Sequence, residues 1–493
     1  MNNCMVRGCI FIVAVCFFLF SGKMAGQVKN ILYKRQSSTV IIKGRVPRAL
    51  VRDTAFLSFQ KEFIYTNVGM ENYTSVCDNN GYFQFKISNI SHPARVTLLM
   101  KSENMPIIIN YYVEPGDSIF ISLIKTSMGD SAIFSGKGFM KFNCMAALRT
   151  DKEILENQIE IKYQRILTSG VNKLLQIFLL NDTLGKNLLT VLSKYKKLVS
   201  PLIYEILRFD IIGSDYKDRC LTLNYSLRQD SLEKKKMNQL FLNAVYQPVE
   251  KIQTAAGVFS EDYIEYLFRR AQNKILFQHG LEYSMTEMFF LLAKEYKGII
   301  RDRILVTYLL RGHIAITNTE YEYCLKQAIK IMGDRMYKNY LIKQLHHQEK
   351  GSVAYNFSLP DSSGKDIQLS MYRGKIVLMD FWFSGCYSCG KFSETLEKEV
   401  INNFNDSSVV FVSICIDKEK DKWLKSLQSG HYSTPRSINV YTEGKGLDHP
   451  VVKYYNIQGC PYILLIDREG NIYSATPPRE GKELCSLINE AMK

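Results

Sequence analysis

In KIVLMDFWFSGCYSCGKFSETLEKEVINNF (residues 375–404), an apolar run, two cysteines three positions apart and a four-residue apolar repeat follow one another directly. KIVLMDFW has the length and the branched and aromatic content of a strand buried on both faces. Beyond the cysteines, Phe392, Leu396, Val400 and Phe404 recur every four residues, which is one face of a helix. Cys386 therefore stands at the start of a helix and Cys389 one turn inside it. Free backbone N–H groups and the positive end of the helix dipole favour a thiolate at that start. A free cysteine has a pKa of about 8.5, and only the thiolate attacks a disulfide. This placement makes Cys386 the nucleophile, with Cys389 resolving the mixed disulfide that results.

The alternation of strand and helix continues on both sides. YNFSLPDSSGKDIQLS (355–370) reads as a hairpin turning at Asp361–Gly364. SVVFVSICID (408–417) is a second buried strand and KEKDKWLKSLQ (418–428) a helix. SINVY, PYILLID and IYSA are further strands, the last two joined by the turn REGN, and GKELCSLINEAM (481–492) is a closing helix. This order gives an α/β sheet with helices on both faces, occupying residues 349–493 after HHQEKGSVA, a polar stretch with Gly351 that reads as a linker.

Two other parts precede it, as the 493-residue length allows. Residues 27–137 form a small β-rich domain. STVIIKGRV, NNGYFQFKI, ARVTLLM, PIIINYYV and DSIFISL are short strands separated by turn signals such as Asn80-Gly81 and Pro115-Gly116-Asp117, as in a sandwich or barrel. No cluster of His, Asp, Glu or Cys there points to chemistry. Residues 138–348 form an α-helical domain, with apolar residues at intervals of three and four in KEILENQIEIKYQRIL, KNLLTVLSKYKKLV, DYIEYLFRRAQNKILF and YEYCLKQAIKIM. The adjacent His346 and His347 point about 100° apart on a helix and make poor co-ligands.

The compartment follows from residues 1–26. MNNCMVR is basic, and GCIFIVAVCFFLFSG (8–22) is an apolar run shorter than the roughly 20 residues of a membrane span. It reads as a signal peptide for export to the periplasm or cell envelope. The small residues Ala25 and Gly26 have Lys23 and Met24 two positions before them, so an uncleaved anchor, and with it membrane association, stays open beside cleavage. Of 12 cysteines, three lie in this segment and nine remain, an odd number that cannot pair fully within one chain. The net charge of +15 reads as a lysine-rich exterior, because no basic run interleaved with aromatics marks a nucleic-acid surface.

Residues 353–493 resemble the thioredoxin-like fold, in its TlpA/ResA branch of extracytoplasmic thiol–disulfide oxidoreductases. The resemblance rests on FSLPDSSGKDIQLSMYRGKIVLMDFWFSGCYSC, VVFVSICID and YYNIQGCPYILLIDREGNI in that order. The three-part order also resembles the multidomain TlpA-like proteins of Bacteroidetes-type bacteria. The resemblance implies that Asp380 is the buried acid that relays the proton of the resolving cysteine. Burial would raise its pKa and suit it to that task. It implies that Trp382 packs beside the active-site loop, and that Pro461 is the cis-proline facing the disulfide, leaving the preceding backbone free to pair with a substrate strand. Departures from the pattern are Tyr387-Ser388 between the cysteines, where many relatives carry proline before the second, and a third thiol, Cys460, directly before Pro461. Cys460 reads as a small apolar residue or as a thiol that regulates the pair.

The expected activity is reduction of protein disulfides through Cys386 and Cys389, with protein thiols and disulfides as partners, a membrane-side electron donor and no nucleic acid. No cofactor is expected beyond the redox-active disulfide. No metal is expected either, since structural zinc takes four ligands and a single CxxC supplies two. The rival reading is a non-enzymatic envelope binding protein with a vestigial or structural CxxC.

Overall fold

The computed structural model of the chain describes residues 38–47, 52–61, 70–101, 106–126, 129–168, 173–227, 255–280, 283–312, 318–404, 407–457 and 459–493. The segment read as an export signal lies outside them. Contacts divide the chain into two compact units, Met1–Ser284 with Phe290–Ile304 and Met285–Phe289 with Leu305–Lys493.

The first unit carries strands β1 (Ser38–Arg45), β2 (Thr54–Gln60), β3 (Met70–Val76), β4 (Tyr82–Ile90), β5 (Ala94–Met100), β6 (Pro106–Val113), β7 (Ser118–Thr126) and β8 (Gly129–Lys137). They make two four-stranded sheets, in the orders β4-β1-β7-β8 and β3-β2-β5-β6. In β4 the exposed Tyr82, Gln84 and Lys86 alternate with the buried Phe83, Phe85 and Ile87, the period of two that one buried face imposes. Tyr111 of one sheet meets Phe134 of the other with ring centroids 6.0 Å apart.

Helices α1 (Phe139–Thr168), α2 (Lys173–Ser193), α3 (Pro201–Leu227) and α4 (Glu261–His279) belong to this unit. α5 (Met285–Glu295), α6 (Gly298–Gly312), α7 (Asn318–Ile331) and α8 (Arg335–Gln348) follow. The stretch read as one helical domain is thus shared, because α7 and α8 fall in the second unit. The packing of α8 gives the reason. His347 stacks on Tyr454 with ring centroids 3.7 Å apart, and its Nδ1 donates to the Tyr454 carbonyl at 2.6 Å. The polar stretch after it is not a loose tether either. Gly351 donates to the Ile472 carbonyl at 2.8 Å, and Ile472 donates back to Ser352 at 2.7 Å.

In the second unit, β9 (Ser358–Pro360) and β10 (Asp366–Gln368) form the expected hairpin. The Asp361 carboxylate accepts from the backbone of Ser363 and Lys365 at 2.8 and 3.0 Å and fixes the turn. The main sheet comprises β11 (Ile376–Trp382), β12 (Val409–Cys415), β13 (Ile438–Tyr441), β14 (Tyr462–Ile466) and β15 (Ile472–Ser474), in the order β13-β12-β11-β14-β15. β11, β12 and β13 run parallel, and β14 and β15 are antiparallel to their neighbours. Every residue of the central β11 is buried. Its odd positions, Val377, Met379 and Phe381, enter one core cluster; Ile376 and Leu378 enter another on the opposite face.

Helices α9 (Tyr387–Thr395), α10 (Lys420–Ser429), α11 (Pro450–Tyr454) and α12 (Gly481–Met492) surround the sheet. The helical repeat after the cysteines is not one continuous α-helix. α9 gives way to a wider turn over Leu396–Val400 and a short 3₁₀ segment over Ile401–Asn403. Phe392, Leu396, Val400 and Phe404 nevertheless all reach the same core cluster as Leu484 and Ile488 of α12.

Candidate active site

The buried strand β11 ends at Trp382, and four residues later Cys386 caps α9. Cys386 and Cys389 are joined by a disulfide with Cα atoms 5.3 Å apart. Cys386 Sγ also accepts the Cys389 N–H at 3.2 Å, so it takes one of the free donors of the helix start. Both cysteines are largely covered, whereas Tyr387 between them is 75% exposed and Phe383 just before them is 39% exposed. The covered disulfide is thus flanked by two exposed aromatic side chains.

Asp380 shares the even-numbered face of β11 with Ile376 and Leu378, the face covered by Phe392 and Leu396 of the active-site helix and the turn after it. It is buried, and burial pushes its carboxyl up to about 7. The opposing influence is one hydrogen bond from Ser413 Oγ at 3.2 Å. A carboxyl in that range exchanges its proton near neutral pH.

Trp382 is fully buried in one cluster with Cys386, Cys389, Cys415, Trp423 and Tyr441. Its ring stacks on Tyr432, with centroids 5.4 Å apart and planes 12° from parallel. The peptide bond between Cys460 and Pro461 is cis. The Cys460 carbonyl oxygen lies 3.6 Å from Cys386 Sγ, and Arg479 holds the Pro461 carbonyl at 2.9 Å. The Cys460 thiol is pushed up to about 12, chiefly by burial and further by the nearby Asp380. It is a neutral thiol at neutral pH, and a neutral thiol is a poor nucleophile.

Several residues of this site escaped the reading of the sequence. Asp417, just past the end of β12, accepts the Ser384 N–H at 3.1 Å and also the Ser384 hydroxyl. It further accepts from Cys415 Sγ at 3.4 Å. Tyr432 accepts the Gly385 N–H through its hydroxyl at 3.0 Å. These two contacts tie down the loop between β11 and α9. Their partners lie 33 and 47 residues apart in sequence, and no local spacing signals them.

Among the described residues no group of three or more His, Cys, Asp or Glu is arranged to hold a metal ion. None of the described helices is long and apolar enough to cross a membrane.

Residues 374–472 match the family model described as thioredoxin-like. The chain is 26% identical over 152 residues to the thiol-disulfide oxidoreductase ResA of Bacillus thuringiensis subsp. konkukian, covering 31% of this chain and 83% of that protein. It is 28% identical over 123 residues to ResA of Bacillus subtilis, covering 25% of this chain and 64% of that protein. Similar solved structures include the thioredoxin domain of a thiol-disulfide oxidoreductase from Bacteroides vulgatus, at 29% identity and a TM-score of 0.26, covering 29% of this chain and 98% of that one. A thiol:disulfide interchange protein from a Bacteroides species is 28% identical with a TM-score of 0.26, covering 29% of this chain and 90% of that one. The C-terminal part of this multidomain chain is a thioredoxin-like domain.

Proposed function

We propose that this chain is a thiol–disulfide oxidoreductase that reduces protein disulfides outside the cytoplasm through Cys386 and Cys389. The observation that carries the reading is the disulfide at the start of α9, with Cys386 Sγ 3.6 Å from the Cys460 carbonyl. The names of the relatives, thiol-disulfide oxidoreductases, support it.

In the reduced protein the Cys386 thiolate attacks one sulfur of a substrate disulfide. A mixed disulfide forms and one substrate thiolate leaves. The Asp380 carboxylate takes the proton of Cys389, whose thiolate attacks Cys386 Sγ and releases the second substrate thiolate. The substrate gains two electrons and the Cys386–Cys389 pair loses two. No cofactor takes part, and an external dithiol on the membrane side restores the reduced pair. The backbone preceding Pro461 pairs with an extended substrate segment and aligns it. Work outside the cytoplasm is supported by the basic start and apolar run of residues 1–22. The first unit supplies partner choice by raising the effective concentration of a docked substrate.

Trapping tests this directly. Cys389→Ser is expected to accumulate mixed disulfides through Cys386 that disappear on reduction, whereas Cys386→Ser is expected to accumulate none. Equal adducts from both variants would remove the assignment of nucleophile and resolver. No adducts from either would favour a binding protein with a structural CxxC.

A further inference from the structure

We propose that His431 is a positioning residue for the Cys386–Cys389 pair, seated on the first turn of α9 and shifting the pair's equilibrium toward the dithiol. The inference rests on the oxidoreductase reading of that pair.

The geometry starts at Gly390, the residue after Cys389. A Cβ placed there would lie 2.5 Å from His431 Nε2 and 3.0 and 3.1 Å from Cδ2 and Cε1. The edge of the imidazole therefore occupies the place of a side chain on the active-site helix. Gly390 has no positive φ, so its backbone conformation does not call for glycine. Glycine inside a helix costs about 1 kcal/mol relative to alanine. The close approach of His431 is what the missing side chain permits.

His431 is held from its other side as well. α10 ends at Gly430 in the left-handed conformation, φ 64°, and the chain turns there toward α9. The His431 ring meets Tyr432 edge-on, with centroids 4.7 Å apart and planes at 81°. Tyr432 in turn accepts the Gly385 N–H at 3.0 Å and stacks on Trp382. Two consecutive residues thus bracket the CxxC, Tyr432 before Cys386 and His431 after Cys389.

The groove around the imidazole, about 370 Å³ in volume, is lined by Gly390, Glu394, Glu397 and Lys398 of the active-site helix and the turn after it, and by Ser433 and Thr434. Glu394 is already paired with Lys391 at 3.3 Å and Lys398 at 2.6 Å. An imidazole N–H edge or imidazolium beside the helix start adds to the positive field that stabilises a thiolate. The disulfide carries no charge and gains nothing, so the contact favours the reduced pair.

The test uses the full chain equilibrated with glutathione, in which two glutathione thiols become one glutathione disulfide as the Cys386–Cys389 disulfide becomes two thiols. Parent, His431→Ala, Gly390→Ala and the double variant are compared. Charge effects at a helix end of about 0.3–1 kcal/mol correspond to a change of about two- to five-fold in this equilibrium. Each single variant is expected to move it toward the disulfide by that factor. The double variant is expected to move it no further, because both changes remove one contact. Gly390→Ala guards against misfolding, since alanine favours the helix and adds only the methyl group that displaces the ring. Single variants at the parent equilibrium, or shifts that add in the double variant, would overturn the role of His431 and leave the oxidoreductase reading standing. A parent pair that does not exchange with glutathione would overturn both.

Discussion

Ser413 Oγ donates to Asp380 Oδ2 at 3.2 Å across the parallel pair β11 and β12, where the two residues sit opposite each other. One hydrogen bond from a hydroxyl does not offset burial, so the Asp380 carboxyl is held up at about 7. In the proposed cycle the ionised form receives the proton of Cys389. Resolution of a mixed disulfide is therefore expected to speed up as pH rises through about 7. Asp380→Asn is expected to flatten this profile and to slow resolution by roughly 10²-fold, the lower end of what general base catalysis contributes. Stopped-flow exchange between pH 6 and 9 reads both effects, and a variant at the parent rate throughout would remove Asp380 from the mechanism.

The same residue makes a separate claim on stability. A carboxyl raised from 3.8 to about 7 binds its proton more tightly in the folded than in the unfolded chain. Its linkage is opposite to that of an ion-paired acid: stability is greatest below about pH 4 and falls as pH rises to about 7. Three pKa units correspond to on the order of 4 kcal/mol. Asp380→Asn is expected to lack this fall and to be more stable than the parent at pH 8. Urea denaturation at pH 5 and pH 8 checks it; an equal loss for parent and variant between the two would contradict the buried-acid assignment.

Asp417 anchors the loop that carries the cysteines. Asp417→Ala leaves the Ser384 N–H without its acceptor, at a cost of about 1–3 kcal/mol for a buried group, while the Ser384 hydroxyl keeps Ser426 Oγ at 2.6 Å. The expected outcome is a lower denaturation midpoint together with slower attack by Cys386. Asp417→Asn, which keeps an acceptor oxygen, is expected to recover most of the stability. If Asp417→Ala matched the parent in both measurements, the loop would not depend on this contact.

What the sequence made legible followed from local pattern. KIVLMDFW and VVFVSICID are continuous apolar runs of strand length, buried on both faces, and the cysteines sit where a strand hands over to a helix. β2, β3 and β8 carry no comparable strand signal. TAFLSFQ has a single β-branched residue (Thr54), MENYTSV is largely polar on a sheet edge, and GDSAIFSGK is rich in Gly and Ser. Asp417, Tyr432 and His431 serve the site through contacts made only after β12 and α10 are in place. No periodicity marks them. The polar HHQEKGSVA carries no local sign of its two contacts with β15 or of its stacking on Tyr454, because those partners are equally remote in sequence.

Since α8 packs on α11 through His347 and Tyr454, a fragment of residues 318–493 is expected to melt several degrees above a fragment of residues 349–493. Gln348, whose amide donates to the Tyr455 carbonyl at 3.4 Å, is lost with the same cut. Equal melting temperatures would mean that α7 and α8 only lie against the thioredoxin-like domain without stabilising it.

The central claim is that Cys386 and Cys389 together carry two electrons to a protein disulfide. A single turnover of the reduced full chain against excess insulin tests it most directly. The chain's two tryptophans, Trp382 and Trp423, share the cluster with both cysteines and report the state of the pair by fluorescence. One insulin disulfide is expected to be lost for each Cys386–Cys389 pair oxidised, with the reaction abolished by Cys386→Ser. Loss of insulin disulfides at the parent rate in Cys386→Ser, or none at all with the reduced parent, would contradict the claim.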